Sequence, residues 1–466
     1  KDKKHKKRSF LMKETLNTFN KIVKELLEDE EENPVAEYIP SSELYERMDL
    51  SLEEESISKE DFERILTDLV LKTPRTATSG FFNQLFGGRN ETAVLGDLLT
   101  VMLNNSMYTY KAAGVQIGVE NTVLKAVTDI IGWDSASGGT FASGGSLTNF
   151  MSMLMARDAF NEKIRIEGIS QKMTVYTSKE SHYSIPKNAA FCGIGRENVR
   201  YIDTDEKGRM IPSKLDEAIE KDVVAGYHPV LVNVTAGTTV MGAFDPIRPI
   251  SEVCQKRDVW LHVDGAYCGS LIFSEKYKHL LDGLELANSF SFNAHKMINT
   301  PLTCSLIVVK DKKHLYDSFS NDAKYLYQTD GDEFNLGKTS LQCGRRNDAL
   351  KFWSVWKQIG TKGLGERVDK QFRLADEARA YIRSNPNYTL YSYDESISVC
   401  FNYKDIPADD ICTRLYEDSE LMVGYGTFQN QQFIRFVTIN AENDSADIAN
   451  FFKKMEQFVD EEMSYD

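Results

Sequence analysis

Between about residues 110 and 310, short apolar runs alternate with stretches of helical periodicity, and no other feature of the chain constrains its fold as much. The runs Met173-Thr174-Val175-Tyr176, Val230-Leu231-Val232-Asn233-Val234, Trp260-Leu261-His262-Val263 and Ser305-Leu306-Ile307-Val308-Val309 contain no aspartate, glutamate, lysine or arginine. Strands covered on both faces have this pattern. Helical spacing falls between several of them, around Leu215 to Ile219 and Ile250 to Cys254. The expectation is an α/β fold around a mostly parallel sheet, in which ligands sit at the carboxyl ends of the strands. A smaller α+β unit is expected after it. There a helical stretch from Leu364 through Val368, Phe372, Ala375 and Arg379 to Ile382 precedes Ile397-Ser398-Val399-Cys400-Phe401 and Phe433-Ile434-Arg435-Phe436-Val437.

With 466 residues the chain exceeds what one core usually holds, so a large domain with appended smaller ones follows. Near the start Phe19, Ile22, Val23, Leu26 and Leu27 recur at helical spacing until the acidic run Glu28 to Glu32 interrupts them. Such an arm packs either on a second subunit or on its own domain. The basic run Lys1 to Arg8 reads as a solvated tail, too short for a secretory leader. Pro74 and Thr76-Ala77-Thr78-Ser79-Gly80 mark a loop before the aromatic-rich Phe81-Phe82-Asn83-Gln84-Leu85-Phe86. Cys192, Cys254, Cys268, Cys304, Cys343, Cys400 and Cys412 show no paired spacing, which fits reduced thiols and no metal site. A formal charge of −15 disfavours nucleic acid and anionic membranes, and no apolar stretch is long enough to span a bilayer. There is no internal repeat.

The chemistry gathers where the apolar runs end. Asn293-Ala294-His295-Lys296 follows the run Ser289-Phe290-Ser291-Phe292, and Asp264 closes Trp260 to Val263. A lysine able to form a Schiff base and an acid able to hold a ring nitrogen protonated are what pyridoxal phosphate chemistry needs. The stretch Thr140-Phe141-Ala142-Ser143-Gly144-Gly145-Ser146-Leu147-Thr148-Asn149 leads into a helical run from Phe150 to Phe160. Glycines let the backbone approach a ligand, and a helix start favours a phosphate. His182 follows the Met173 run, which places it above a bound ring, and Thr235-Ala236-Gly237-Thr238-Thr239 follows the Val230 run. Each part alone has a plain structural reading: a turn acid, a surface ammonium, a structural histidine, a strand-ending turn. Their coincidence in one α/β chain carries the argument.

These residues resemble the pyridoxal-phosphate-dependent group II decarboxylases, in the branch that holds glutamate and cysteine sulfinate decarboxylases. The likeness runs from about Phe81 to Arg435. It is dense in Ala236-Gly237-Thr238-Thr239-Val240-Met241-Gly242-Ala243-Phe244-Asp245-Pro246, His262-Val263-Asp264, His295-Lys296 and Leu341-Gln342-Cys343-Gly344-Arg345. The resemblance implies a fold-type I enzyme: a helical N-terminal arm and substrate-contact segment over residues 1–110, a large cofactor-binding domain with a mostly parallel seven-stranded sheet over 111–355, and a small α+β domain over 356–466. It implies a homodimer with a shared active site, located in the cytoplasm. Lys296 matches the Schiff-base lysine, Asp264 the partner of the pyridine nitrogen and His182 the stacking histidine. Gly145, Ser146 and Asn293 match the phosphate pocket, while Thr235, Ala266 and His295 match further cofactor contacts. Arg435 matches the arginine that grips the substrate's acidic group, and a guanidinium fork suits a carboxylate or sulfinate.

Phe86, Ser106 and Tyr108 resemble the cysteine sulfinate and aspartate branch: Phe86 shortens the pocket, and the Tyr108 hydroxyl can donate to the distal acid. One methylene is worth only about 1–3 kcal/mol, so glutamate is disfavoured and not excluded. The alternative is that these aromatics simply pack. The family's mobile loop carries a tyrosine that protonates Cα after carbon dioxide leaves. The matching stretch Thr329-Asp330-Gly331-Asp332-Glu333-Phe334-Asn335-Leu336-Gly337-Lys338-Thr339 is shorter, and no tyrosine lies between Tyr327 and Gln342. Phe334, near the expected place, has no proton to give, while Glu333 has one if closure raises its pKa. Ala294 replaces the usual proline and Gly265-Ala266-Tyr267 the usual Ala-Ala-Trp. The leading expectation is α-decarboxylation of cysteine sulfinate to hypotaurine or of aspartate to β-alanine. The alternatives are glutamate decarboxylation, decarboxylation coupled to oxidative deamination to an aldehyde, and a non-catalytic scaffold.

Overall fold

The computed structural model describes residues 2–33, 35–321, 331–418 and 421–463, with side chains from residue 11 onward. Among the described residues twelve strands form two sheets: β1 Phe81–Phe82, β2 Gly138–Ala142, β3 Met173–Ser178, β4 Val199–Ile202, β5 His228–Thr235, β6 Trp260–Gly265, β7 Ser289–Asn293, β8 Ser305–Val309, β9 Tyr388–Leu390, β10 Ser398–Tyr403, β11 Met422–Phe428 and β12 Gln431–Val437. The large sheet has the order β2-β8-β7-β6-β5-β3-β4. Strands β7, β6, β5, β3 and β4 run parallel, whereas β8 is antiparallel to both β7 and β2.

Register explains the site's position. Thr235 on β5 pairs with Asp264 on β6, and Asp264 pairs with Ser291 on β7. Paired residues on neighbouring strands point to the same face, so three polar side chains form one row near the carboxyl edge of the sheet. Two residues further along β7, Asn293 points the same way. Behind the row packs the helix Gly145–Phe160, which buries Asn149, Met151, Ser152, Met155 and Ala156. Full burial of each methionine stabilises by about 1.5–3 kcal/mol, so the polar Asn149 and Ser152 on the same buried face call for partners of their own.

The small sheet has the order β1-β11-β12-β10-β9. Its β1 comes from the segment before the large sheet: Phe81 pairs with Met422 and Phe82 with Val423. The Phe82 ring lies 4.2 Å from Phe436 and 5.1 Å from Phe451, which holds this distant segment in the C-terminal core. The helix Ala349–Ser384 joins the two regions and kinks at Gly360, whose φ is 70°.

The N-terminal helix departs from the sequence reading. It runs from Asp2 to Glu32 without a break, so the basic run is helical and the acidic run continues the helix. No glycine or proline lies within it, and lysine and glutamate are good helix formers. Arg75 pairs with Asp29, and Arg89 with Glu30 at 2.5 Å, which offsets the cost of acids at a helix C-terminus. Among the described residues no helix is long and apolar enough to cross a membrane.

Candidate active site

A cleft opens at the carboxyl edge of the large sheet, lined by Gly145, Ser146, His182, Thr235, Asp264 and Ala266, and by Asn293 and Lys296 beside them. Asn149, Gly237, Thr239 and Tyr267, which sequence reasoning did not assign, line it as well. Lys296 lies in the turn after β7, its N–H donating to the Asn293 carbonyl at 3.1 Å, while Ala294 N–H donates to Cys304 O at 2.8 Å. Those two bonds fix where the lysine stem starts. Burial lowers the Lys296 pKa, and the positive Arg435 lowers it further, against the opposing pull of Asp264 and Cys268. A larger share of the amine is therefore neutral and nucleophilic than in a solvated lysine.

Asp264 is held on both oxygens: Oδ2 accepts from Asn149 Nδ2 at 2.7 Å and Oδ1 from Ala266 N–H at 3.0 Å. His182 Nδ1 accepts from Ser184 N–H at 3.2 Å, which places the neutral ring's proton on Nε2. Burial lowers the His182 pKa, and Lys296 lowers it further while Asp264 raises it. At the other end of the cleft Gly144 has φ 107°, a conformation that glycine adopts without strain, and the next residue starts the helix Gly145–Phe160. A Cβ at Gly145 would lie 2.9 Å from the Ala266 Cβ and 3.3 Å from Asn293 Nδ2, so only glycine leaves this passage open.

Other assigned residues lie outside the cleft lining. The His295 ring turns away: its Nδ1 accepts from Cys304 N–H at 2.9 Å, and burial pushes its pKa down to about 3. On β12, Arg435 Nη1 donates to Thr239 O at 3.0 Å and Nη2 to Asn83 O at 2.8 Å; its Nε is buried without a partner among the described residues. Phe86 follows Asn83 on the same segment, 6.1 Å from the Phe81 ring. Ser106 accepts from Arg345 N–H at 3.3 Å. Tyr108 is buried against Gly337, whose N–H donates to the Tyr108 carbonyl at 2.9 Å. Thus Arg435 is tied to Asn83, on the segment that carries Phe86, whereas Ser106 lies against Arg345 and Tyr108 against Gly337. Tyr327, Thr329 and Asp330 lie outside the described residues. In the remainder of that loop, Phe334 meets the Tyr110 ring edge-on at 5.6 Å, and Glu333 is exposed.

Residues 45–404 match the family described as the pyridoxal-dependent decarboxylase conserved domain. The chain belongs to the pyridoxal-dependent decarboxylases. It is 36% identical to the cysteine sulfinic acid decarboxylase of Mus musculus over 440 residues, covering 89% of each chain. It is 35% identical to the acidic amino acid decarboxylase GADL1 of Bos taurus over 441 residues, 89% of this chain and 84% of that one. The crystal structure of mouse CSAD superposes with a TM-score of 0.92 at 32% identity, covering 97% of this chain and 99% of that chain.

The decarboxylase uses pyridoxal 5'-phosphate, and its cleft offers that molecule unsatisfied polar groups. Thr235 Oγ1, Ser291 Oγ and one end of the Asn293 amide are buried with no partner among the described residues. A native protein leaves few such groups, and here they sit on one face beside a helix start, a lysine and a carboxylate.

Two further buried polar side chains, unassigned from the sequence, stand behind the site. Arg345 is buried with Glu120 at 2.5 Å and donates to Met107 O at 2.9 Å, so it anchors the segment that carries Ser106 and Tyr108. His262 interrupts an apolar strand, and a buried polar group in such a strand requires partners. Burial pushes its pKa down to about 4. With His262 and His295 neutral in the folded state and titrating near 6.5 when unfolded, the unfolded chain binds more protons below that pH. Stability should therefore fall as pH drops from about 6.5 toward 4 and 3. Urea midpoints across this window should show the slope, and His295→Gln should flatten it; an unchanged slope contradicts the assignment.

Proposed function

We propose that this decarboxylase removes the α-carboxylate of a short acidic L-amino acid, cysteine sulfinate or aspartate. The observation that carries the proposal is Arg435, a guanidinium braced by two backbone carbonyls, one of which, Thr239 O, belongs to a cleft-lining residue. A braced fork presents its remaining N–H groups to a sulfinate or carboxylate with little entropy left to lose. Phe86, three residues beyond Asn83, narrows the space available to a longer acid. The relatives named for cysteine sulfinic acid and acidic amino acids support the same reading.

In this reading Gly145, Ser146 and Asn293 hold the phosphate, His182 lies on the ring face, and Thr235 and Ala266 complete the pocket, while His295 braces the turn before Lys296 through the Cys304 backbone. Bound pyridoxal phosphate supplies a sink for the electron pair left when the Cα–carboxylate bond breaks. Asp264 keeps a proton on the ring nitrogen, and Lys296 delivers its neutral amine and takes up protons at Nζ as substrate enters and product leaves. Arg435 fixes the distal acid so that the bond to be broken stands perpendicular to the ring, and Ser106 and Tyr108, held apart from it within one chain by Arg345 and Gly337, act in the shared site of the homodimer.

A second reading is favoured by the loop, where Phe334 stands near the expected tyrosine and brings no proton. If Cα is protonated slowly, dioxygen takes the electrons and the product is an aldehyde with ammonia and peroxide. A panel of aspartate, cysteine sulfinate, cysteate and glutamate, with amine, aldehyde and oxygen measured together, separates the two. Full amine yield without oxygen uptake supports simple decarboxylation; oxygen uptake equal to carbon dioxide release supports the second reading; no turnover of any substrate by cofactor-loaded protein removes both.

The proposal includes a homodimer with a shared site. Helix Glu91–Leu103 exposes Leu95, Leu98, Leu99, Val101, Met102 and Leu103, an apolar patch that water alone covers poorly. Sedimentation equilibrium should return about twice the 52.9 kDa of one chain, and an active monomer contradicts this part. Seven unpaired cysteines, six of them buried, fit the cytoplasm as the compartment.

A further inference from the structure

Asp264 is the end of a hydrogen-bonded chain that crosses the core beneath the cleft. Asn149 Nδ2 donates to Asp264 Oδ2 at 2.7 Å and also lies 3.2 Å from Ser184 Oγ. Asn149 Oδ1 lies 3.0 Å from His262 Nε2, and His262 Nδ1 lies 2.9 Å from Ser289 Oγ. Ser289 Oγ in turn is 2.9 Å from Trp260 Nε1 and 2.9 Å from Ser152 Oγ. Asp264, Asn149, His262, Ser289, Trp260 and Ser152 come from one helix and two adjacent strands, Ser184 starts the helix Ser184–Phe191, and all seven are buried.

The carboxylate sets the order of the protons in this chain, because Ser289 can give its own proton either to His262 or to Ser152. An indole N–H only donates, so Ser289 accepts from Trp260 and keeps its own proton to give. Given to His262 Nδ1, that proton leaves the histidine's hydrogen on Nε2, where it donates to Asn149 Oδ1. The amide then faces the carboxylate with its NH2 group. The opposite setting, with hydrogen on Nδ1, turns Asn149 over and sets an oxygen 2.7 Å from a carboxylate oxygen, two acceptors with no hydrogen between them. The charge of Asp264 and the tautomer of His262 therefore select each other, 115 and 113 residues away from Asn149 in sequence.

We propose that His262 is a positioning residue of the decarboxylase, acting through Asn149 to hold the Asp264 carboxylate aimed at the cofactor's ring nitrogen. The inference rests on the reading of Asp264 as the acid beside that nitrogen. Without His262 the amide oxygen is buried without its donor and Asn149 is held by Asp264 and Ser184 alone, the short hydrogen bond to the carboxylate weakens in a dry setting, and the ring nitrogen gives up its proton at lower pH. The other titratable groups that face Asp264 are His182, from the loop after β3, and Lys296, from the turn after β7.

The test uses the full chain loaded with pyridoxal phosphate. In His262→Leu the dissociation constant for pyridoxal phosphate should rise on the order of tenfold to a hundredfold, the loss of one hydrogen bond to a charged group. The pH transition of the bound cofactor's visible band should move down by about one unit. His262→Gln places a donor where Nε2 stood and should restore both readouts to within about threefold. A purely structural histidine would move neither the band nor its pH transition. Wild-type binding and titration in His262→Leu, or equal damage in His262→Gln, overturns the proposal. If His262→Leu does not fold, Asn149→Leu removes the donor to Asp264 and is read the same way. Asp264→Ala runs in parallel: wild-type behaviour there sinks the reading of Asp264 itself, whereas damage there with an intact His262→Leu sinks only the relay.

Discussion

Replacing Lys296 with alanine should lower kcat by at least about ten-thousandfold, the scale of losing a covalent nucleophile. The visible absorption of the protein–cofactor adduct should disappear with it, while the protein still folds. The turn around Lys296 is held by main-chain bonds, Ala294 N–H to Cys304 O at 2.8 Å and Lys296 N–H to Asn293 O at 3.1 Å, which alanine keeps. Absorbance after mixing with pyridoxal phosphate and single-turnover carbon dioxide release check the two halves. A variant that retains the band, or turns over within about tenfold of wild type, contradicts the assignment of this lysine.

The second large effect falls on Arg435. Arg435→Leu should raise KM for cysteine sulfinate on the order of a hundredfold to ten-thousandfold, because two charge-assisted hydrogen bonds of about 1.5–3 kcal/mol each are lost. Arg435→Lys should recover little of it. An ammonium is a point donor without the fork, and it cannot reach Thr239 O and Asn83 O while also serving a ligand. Leucine also leaves two main-chain carbonyls without their donor, so melting curves belong beside the kinetics. An unchanged KM would remove Arg435 from the substrate site.

The large sheet was legible because its central strands are apolar runs of a length that only buried strands need. Ser305 to Val309 comes out with the same ends in the sequence reading and in the structure. Strands β2 and β4 were not, since Gly138-Gly139 weakens one and Arg200 sits in the other; both depend on pairing with β8 and β3 for their conformation. The sign of β8 was equally hidden, because parallel and antiparallel partners read alike in one strand. The pairing of Phe81 with Met422 spans most of the chain, and local pattern carries nothing about it.

Within the site, residues at strand ends could be found by position, since Lys296, Asp264, Thr235 and His182 each follow an apolar run. Asn149 could not. Its importance comes from a contact with a strand far along the sequence, and a helix register alone does not say which buried position meets a carboxylate. His262 offered a signal that went unused, a titratable side chain in an otherwise apolar strand, which must be satisfied somewhere inside.

The measurement that tests the central claim most directly is competition between cysteine sulfinate and glutamate in one vessel, with carbon dioxide and both amines followed under cofactor saturation. The ratio of kcat/KM should favour cysteine sulfinate by about tenfold to two-hundredfold, what one methylene in a shortened pocket is worth. Parity, a preference for glutamate, or no carbon dioxide from either acid would contradict a pocket built for a short acidic substrate.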